Sequence, residues 1–181
     1  MKPSDISPAW PTSNHAQLMT LRIIVAALAM GVGTFAAVAV AQNIGKPQVL
    51  AGKLDSLNLT LLGVGLIALP LGIVLPRLVF AASRRAPPLN PPPGFSPEQS
   101  RIFSIQQRIQ TSAIIGCALF EGGAFANIFG YMQTRELLHL VMAGALVLGI
   151  LANFPTAASY EQRIEDERRR LEEEAAFQRA P

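Results

Sequence analysis

Residues 109–132 decide the fold class: they read IQTSAIIGCALFEGGAFANIFGYM, an apolar run interrupted only by Glu121, Asn127 and small polar groups. The chain around them is half apolar, and only 15% of its residues are charged. An ordinary soluble domain carries roughly 25% charged residues. This composition excludes a soluble globular enzyme, a disordered chain and a disulfide scaffold, and it predicts a small polytopic membrane protein.

Three further apolar runs extend this pattern along the chain. The first run has about nineteen residues, and at ~1.5 Å per helical residue it covers ~28 Å, close to a hydrocarbon core of ~30 Å. Only a few residues separate the last two runs, so their helices are expected to be antiparallel neighbours. The sequence thus predicts an all-α integral membrane four-helix bundle over residues 23–157, with spans at about 23–41, 59–80, 109–132 and 137–154.

The first span has an alternative interpretation as a cleaved signal peptide. It ends in Ala39-Val40-Ala41 before Gln42, a pattern that signal peptidase could cut. Its apolar core exceeds the usual ~7–15 residues, and its leader carries Lys2 as the lone lysine. We therefore predict a retained helix, with cleavage after Ala41 left open.

The segment between the second and third spans is rich in proline. Residues 83–97 form the predicted proline-rich loop, which we interpret as a stiff polyproline-like linker, with a partner-binding motif as the alternative. Ser96 and Gln99 have the spacing of a capping box, and Pro97 suits the first helical turn. The sequence predicts an interfacial helix over 97–108 before the third span.

The two ends of the chain are polar. Residues 1–22 form a predicted N-terminal tail, and residues 158–181 form a predicted charged helix that begins with a second capping box at Ser159 and Gln162. The charged helix is interpreted as solvated, or as the partner of another helix over 160–178. Its apolar stripe is too narrow for a core and consists of Tyr160, Ile164, Leu171 and Ala175.

The distribution of basic residues predicts the orientation. Of the 15 Lys and Arg residues, all but Lys46, Lys53 and Arg135 fall on the side that holds both tails and the proline-rich loop. The positive-inside rule then places both termini in the cytoplasm. The membrane that we expect to hold the protein is the inner (plasma) membrane. Because these basic residues adjoin apolar spans, we interpret them as topology signals and predict no nucleic-acid partner.

Glu121 is the one acidic residue near the centre of a span, where a carboxylate costs ~2.5–3.5 kcal/mol on insertion scales. No Lys or Arg of any span lies at that depth, so we expect a protonated carboxyl that donates a hydrogen bond. Thr34 is the predicted partner, because it lies at matching depth near the middle of the first span, and Asn127 is the weaker candidate, because it lies roughly 240° around the helix from Glu121. Two interpretations stay open, a proton or cation site and a neutral carboxyl that joins helices.

Small residues surround Glu121 in the sequence. Gly122, Gly123 and Ala118 would let another helix approach the carboxyl closely. Generic membrane packing is the favoured interpretation, with a homo-oligomer or membrane-partner interface as the alternative.

No constellation in the sequence supports catalysis or a resident cofactor. His139 is the one histidine near the membrane and cannot supply two haem ligands or a multi-histidine metal site. No Ser/His/Asp set, HExxH or phosphate loop is present. We predict no enzyme, no cofactor and no metal, and we expect Cys117 to be a small packing residue.

Two resemblances follow from these residues. The stretch RIQTSAIIGCALFEGGAFANIFGYM, with Asn153–Thr156 (NFPT) after the fourth span, resembles a group of small bacterial four-span membrane proteins that implies no activity. The core ALFEGGAFANIFGY is also similar to the carboxylate helix of rotary ATPase c-type proteolipids. That second resemblance implies that Glu121 carries a transported proton or sodium ion. The chain departs from the proteolipid pattern in its first span, its proline-rich loop and its charged tail.

The sequence therefore predicts a non-enzymatic multi-pass membrane protein that acts through helix–helix and tail contacts, with Glu121 as an intramembrane polar element. The alternative is translocation of protons or sodium ions through Glu121.

Overall fold

The protein is all-helical in the computed structural model, which describes residues 12–50, 52, 55–84 and 94–178. No strand occurs within these ranges. The prediction of an all-α chain is confirmed. The helices are α1 (Thr12–Gln42), α2 (Ser56–Ser83), α3 (Pro97–Thr134), α4 (Leu137–Ala152) and α5 (Ala157–Gln178).

Three of these helices, α1, α2 and α3, are long and apolar enough to cross a membrane. The 16 residues of α4 cover only ~24 Å, and α4 passes the same test only together with α5, to which it is bent by 64°. The described chain thus has three candidate spans, or four if the bent pair counts as one, which supports a membrane protein. Residues 1–11 of the predicted N-terminal tail, 85–93 of the predicted proline-rich loop and 179–181 of the predicted charged helix lie outside the described residues.

α3 is the central helix, because α1, α2 and α4 all pack against it. Its start follows the predicted capping box: Ser96 Oγ accepts from the Gln99 backbone N–H at 3.2 Å, and Gln99 Oε1 accepts from the Ser96 N–H at 2.9 Å. The predicted interfacial helix (97–108) and third span (109–132) form one unbroken helix of 38 residues, ~57 Å long. Burial of Ile105 and Ile109 continues the packed face across the predicted boundary.

Glycines permit the close packing of α2 on α3. A Cβ added at Gly72 would lie 2.5 Å from the Phe120 ring, and one at Gly116 would lie 2.9 Å from Cγ of Pro76. Pro76 interrupts the hydrogen bonding of α2, but its ring occupies the space beside Gly116 of α3, which has no side chain. The backbone of α2 at Gly72 therefore packs directly against the Phe120 ring of α3. Small residues allow such close approach between membrane helices.

The connection between α1 and α2 is joined to the turn between α3 and α4. The Leu137 backbone N–H donates to the Val49 carbonyl at 2.9 Å, and the Val49 N–H donates to the Arg135 carbonyl at 3.3 Å. Arg135 ends α3 in the left-handed conformation, with φ of 60°. Both connections consequently lie at one end of the helices, which we call the loop end.

α5 begins earlier than the sequence suggests. The predicted capping box at Ser159 and Gln162 is wrong, because the helix starts at Ala157 and Ser159 lies inside its first turn. The Thr156 hydroxyl satisfies this turn by accepting the Ser159 backbone N–H at 3.2 Å. The apolar stripe of α5 is also not fully solvated, since Tyr160 and Ile164 are buried within the protein itself.

We expect replacement of Tyr160 by phenylalanine to leave the fold intact. We also expect it to reduce the loss of protein stability that occurs above pH 10. Tyr160 follows the last predicted span, and burial raises its pKa to about 12. No described residue hydrogen-bonds its buried hydroxyl. A folded-state pKa above the usual ~10 means that ionisation of Tyr160 is harder in the folded than in the unfolded protein, so stability is unaffected below pH 10 and falls as pH rises from 10 through 12.

The measurement is thermal unfolding in mild detergent at pH 7 and through the range 10–12. At pH 7 Tyr160→Phe should equal the parent or exceed it by about 1–2 kcal/mol, because an unpaired buried hydroxyl is removed. Equal loss of stability in both proteins above pH 10 would show that Tyr160 does not contribute to the alkaline response.

Candidate functional site

Glu121 lies on the side of α3 that faces α1. Its Oε1 atom lies 4.0 Å from the position of a Cβ added at Gly31, so the glycine leaves room for the carboxyl. The side chain is half-buried, and it makes no hydrogen bond or ion pair with the residues that the structure describes. The carboxyl is therefore positioned by packing alone.

The residues that the sequence places around Glu121 do not form one site. Thr34 is exposed on α1, and no hydrogen bond between these two described residues joins it to Glu121. Ala118 and Gly122 are exposed beside the carboxyl, and a Cβ at Gly122 would meet only open space. Gly123 is buried on another side of α3, where a Cβ would lie 2.7 Å from Cβ of Ala68 on α2.

Four buried polar side chains meet near the loop end instead, and we call them the loop-end cluster: Asn58, Asn127, Glu136 and His139. Each has 4% or less of its surface exposed. Asn58 lies in the first turn of α2, Asn127 in α3, Glu136 at the N-cap of α4 and His139 in its first turn. Three helices are thus needed to assemble the cluster.

Hydrogen bonds connect the four side chains in a chain. Asn58 Nδ2 donates to Glu136 Oε1 at 2.8 Å. His139 Nε2 lies 3.2 Å from Asn58 Oδ1, and His139 Nδ1 lies 3.1 Å from Asn127 Oδ1. Asn127 Nδ2 donates to the carbonyls of Gly123 at 2.9 Å and Leu61 at 3.1 Å. The cluster therefore ties α4 to both α2 and α3.

The imidazole of His139 lies between two amide oxygens. The amide nitrogens of Asn58 and Asn127 are engaged with a carboxylate oxygen and backbone carbonyls, which fixes their oxygens toward the ring. A neutral imidazole can donate from only one nitrogen, whereas an imidazolium donates from both. The ring therefore donates to one of the two amide oxygens and is linked to Glu136 through Asn58.

Three glycines make room for the loop-end cluster. A Cβ at Gly130 would lie 2.7 Å from Cε1 of His139, so the ring packs directly on the backbone of α3. A Cβ at Gly65 would overlap the Asn127 amide, and one at Gly52 would overlap the Glu136 carboxyl. The polar groups are consequently enclosed by backbone from three segments.

Sequence reasoning missed the loop-end cluster because it treated its members singly. The sequence patterns indicate Asn127 only as a weaker partner for Glu121 and His139 only as a single histidine, too few for a haem or metal site, and they give Asn58 no role. A usable signal was present: Asn127 and His139 interrupt the third and fourth apolar runs, and Asn58 lies just before the second, in each case near the end that leads to the same pair of connections. Within the described residues, no group of three or more His, Cys, Asp or Glu side chains could hold a metal ion.

Comparisons with family models, curated proteins and solved structures found no match to this chain. The two candidate sites are therefore interpreted from their own chemistry.

Proposed function

We propose that this protein is a non-enzymatic, multi-pass component of the bacterial inner membrane that acts through contacts of its helices and tail. In this proposal the chain is a four-helix bundle with four spans, both termini are cytoplasmic, and Glu121 is the polar element that selects a partner helix or a second copy. The proposed orientation rests on the placement of 12 of the 15 basic residues on the side of the tails. The pairing of the two connections at the loop end agrees with it.

The environment of Glu121 is the observation that supports an assembly role. The amide groups and the imidazole of the loop-end cluster contact partners within the chain, as does Glu136 Oε1, whereas Glu136 Oε2 is buried with no described hydrogen-bond partner. Glu121 is half-exposed beside Gly31, Ala118 and Gly122, with no described hydrogen-bond partner. A carboxyl in apolar surroundings gains about 1–2 kcal/mol from a hydrogen bond to another helix, and small neighbouring residues let that helix come close.

Paired substitutions at Glu121 test the assembly role. Glutamine keeps the hydrogen-bonding capacity of a neutral carboxyl, whereas leucine removes it. We expect Glu121→Gln to retain the size of the complex in mild detergent, and Glu121→Leu to weaken association about tenfold, since ~1.4 kcal/mol corresponds to a factor of ten. The measurement is light scattering on protein extracted from native membranes, together with chemical crosslinking before extraction.

Val141→Leu provides the control, because Val141 is exposed on α4 and remote in sequence from the carboxyl. A single chain in every preparation, with no crosslinked partner in membranes, would contradict the assembly role.

Translocation of protons or sodium ions through Glu121 is the second candidate function. The half-exposure of a mid-span carboxyl supports it, because an ion must reach and leave its site. Glu121→Gln separates the two candidates, since glutamine supports a hydrogen bond but has no carboxyl group that could release a proton or bind sodium. Labelling by a hydrophobic carbodiimide in native membranes, fading near neutral pH or in the presence of sodium and absent in Glu121→Gln, would favour translocation. Labelling that is constant across pH and indifferent to sodium would favour assembly.

A further inference from the structure

A cavity of about 780 Å³ opens at the end opposite the loop end, between α2, α3, the end of α4 and α5. Its lining changes character along α2, from Gly72, Ile73 and Pro76 to Arg77, Phe80 and Arg84. The distance from Gly72 to Arg84 along the helix is ~18 Å. The cavity is therefore apolar toward the middle of the spans and cationic toward their end.

Arg84 lines this cavity, and its side chain is held in place by contacts with Glu167 and Phe80. Its guanidinium donates to both carboxylate oxygens of Glu167, at 2.6 Å each, and lies 5.0 Å from the centre of the Phe80 ring. Glu167 is buried, with 6% of its side chain exposed. This bidentate pair neutralises Arg84 and fastens α5 to the end of α2.

Arg77 and Arg163 line the same cavity and make no ion pair or hydrogen bond with the described residues. Arg170 also lines it and pairs with Glu174 at 3.1 Å, with more than half of each side chain exposed. Asp166 is the remaining acidic side chain of the lining, after Glu167 is assigned to Arg84. The rim thus carries an excess of positive charge, supplied by two uncommitted guanidinium groups.

We propose that this cavity binds the phosphate headgroup of an anionic phospholipid, with Arg77 and Arg163 on the phosphate and the upper acyl chain along Ile73 and Pro76. Guanidinium groups match phosphate oxygens in geometry and charge. Basic pockets between membrane helices on the cytoplasmic side are suited to anionic headgroups. The order of apolar and cationic lining along α2 matches the order of tail and headgroup in a lipid, and the volume falls within the ~300–1,000 Å³ range of ligand sites.

The proposed lipid site shares no residue with the surroundings of Glu121, so loss of the assembly role would leave it standing, but its cytoplasmic placement rests on the orientation given in the proposed function. It also assigns a second role to α5, which closes one side of the cavity through Arg163 and Arg170.

The test uses the full chain in nanodiscs of defined composition. Lipid retained on the purified protein is measured by native mass spectrometry, and thermal unfolding is compared in phosphatidylglycerol and phosphatidylcholine. The double variant Arg77→Gln/Arg163→Gln removes the two uncommitted charges. The matched control Arg101→Gln/Arg169→Gln removes two exposed charges from α3 and α5 that do not line the cavity.

We expect the parent and the control to retain phosphatidylglycerol in preference to phosphatidylcholine. We expect the cavity variant to lose that preference about thirtyfold, from ~1 kcal/mol per arginine near a membrane surface. Equal loss in both variants would mean non-specific surface attraction and would overturn the proposal. A third arm adds inorganic phosphate to protein in phosphatidylcholine: stabilisation that matches phosphatidylglycerol and disappears in the cavity variant would assign the site to free phosphate instead.

Discussion

Replacing His139 by alanine should lower the free energy of unfolding by about 2–4 kcal/mol. The substitution leaves the Oδ1 atoms of Asn58 and Asn127 buried without the ring that contacts them. An unsatisfied buried polar group costs about 1–3 kcal/mol, and the volume vacated by a fully buried ring adds to this. Hydrogen bonds within membranes contribute less free energy on average than those in soluble proteins. The expected loss is therefore smaller than the sum of the costs of two unsatisfied amide oxygens and the vacated volume.

The measurement for His139→Ala is reversible unfolding in mixed micelles, followed by circular dichroism. Val141→Ala is the matched control, because Val141 lies on the same helix with 64% of its surface exposed. Its loss should be within about 0.5 kcal/mol of zero. If His139→Ala behaves like the control, the loop-end cluster does not hold α4 to α2 and α3.

Glu167→Ala should destabilise the docking of α5 by about 2–3 kcal/mol. Loss of one partner from a fully buried ion pair costs about 3–5 kcal/mol, and the 26% exposure of the Arg84 side chain reduces that cost. Release of α5 exposes Ile164, which is buried in the intact protein. Labelling of Ile164→Cys by a water-soluble maleimide should therefore accelerate at least tenfold.

The labelling background is low because Cys117, the one native cysteine, is buried. Glu165→Ala is the control, since its pair with Arg169 is exposed and a surface pair contributes only about 0.2–1 kcal/mol. The double variant Arg84→Met/Glu167→Leu should restore most of the protection, because apolar side chains of similar size replace both charges. Rapid labelling of the parent itself would show that the ion pair does not dock α5.

The helices themselves were predictable, because apolar periodicity and caps are local properties. The capping box at Ser96 and Gln99 needs only four residues and appears in the structure as predicted. The start of α5 was misplaced since both Thr156 and Ser159 can cap, and three-dimensional context decides between them. The placement of Asn127 away from Glu121 on α3 also follows from helical geometry.

The composition of the loop-end cluster could not be predicted from local patterns. Asn58 and His139 are 81 residues apart in the chain, and their contact depends on how far α2 and α4 slide along α3. That register is set by close-packed positions such as Gly72 on Phe120, which a hydropathy profile does not resolve. The cavity near Arg84 was equally hidden, because it depends on α5 folding back against the protein.

The division of the loop-end cluster between two parts of the chain affects the biosynthesis of the protein. Asn58 is translated well before its partners Glu136 and His139. When the first hairpin has been translated, its Asn58 side chain and the Val49 backbone groups do not yet have Glu136, His139, Arg135 and Leu137 as partners. They gain them only when the second hairpin leaves the ribosome and brings Leu137 to Val49. Translation order thus makes closure of the loop end a late step, which requires that residues 135–139 have been synthesised.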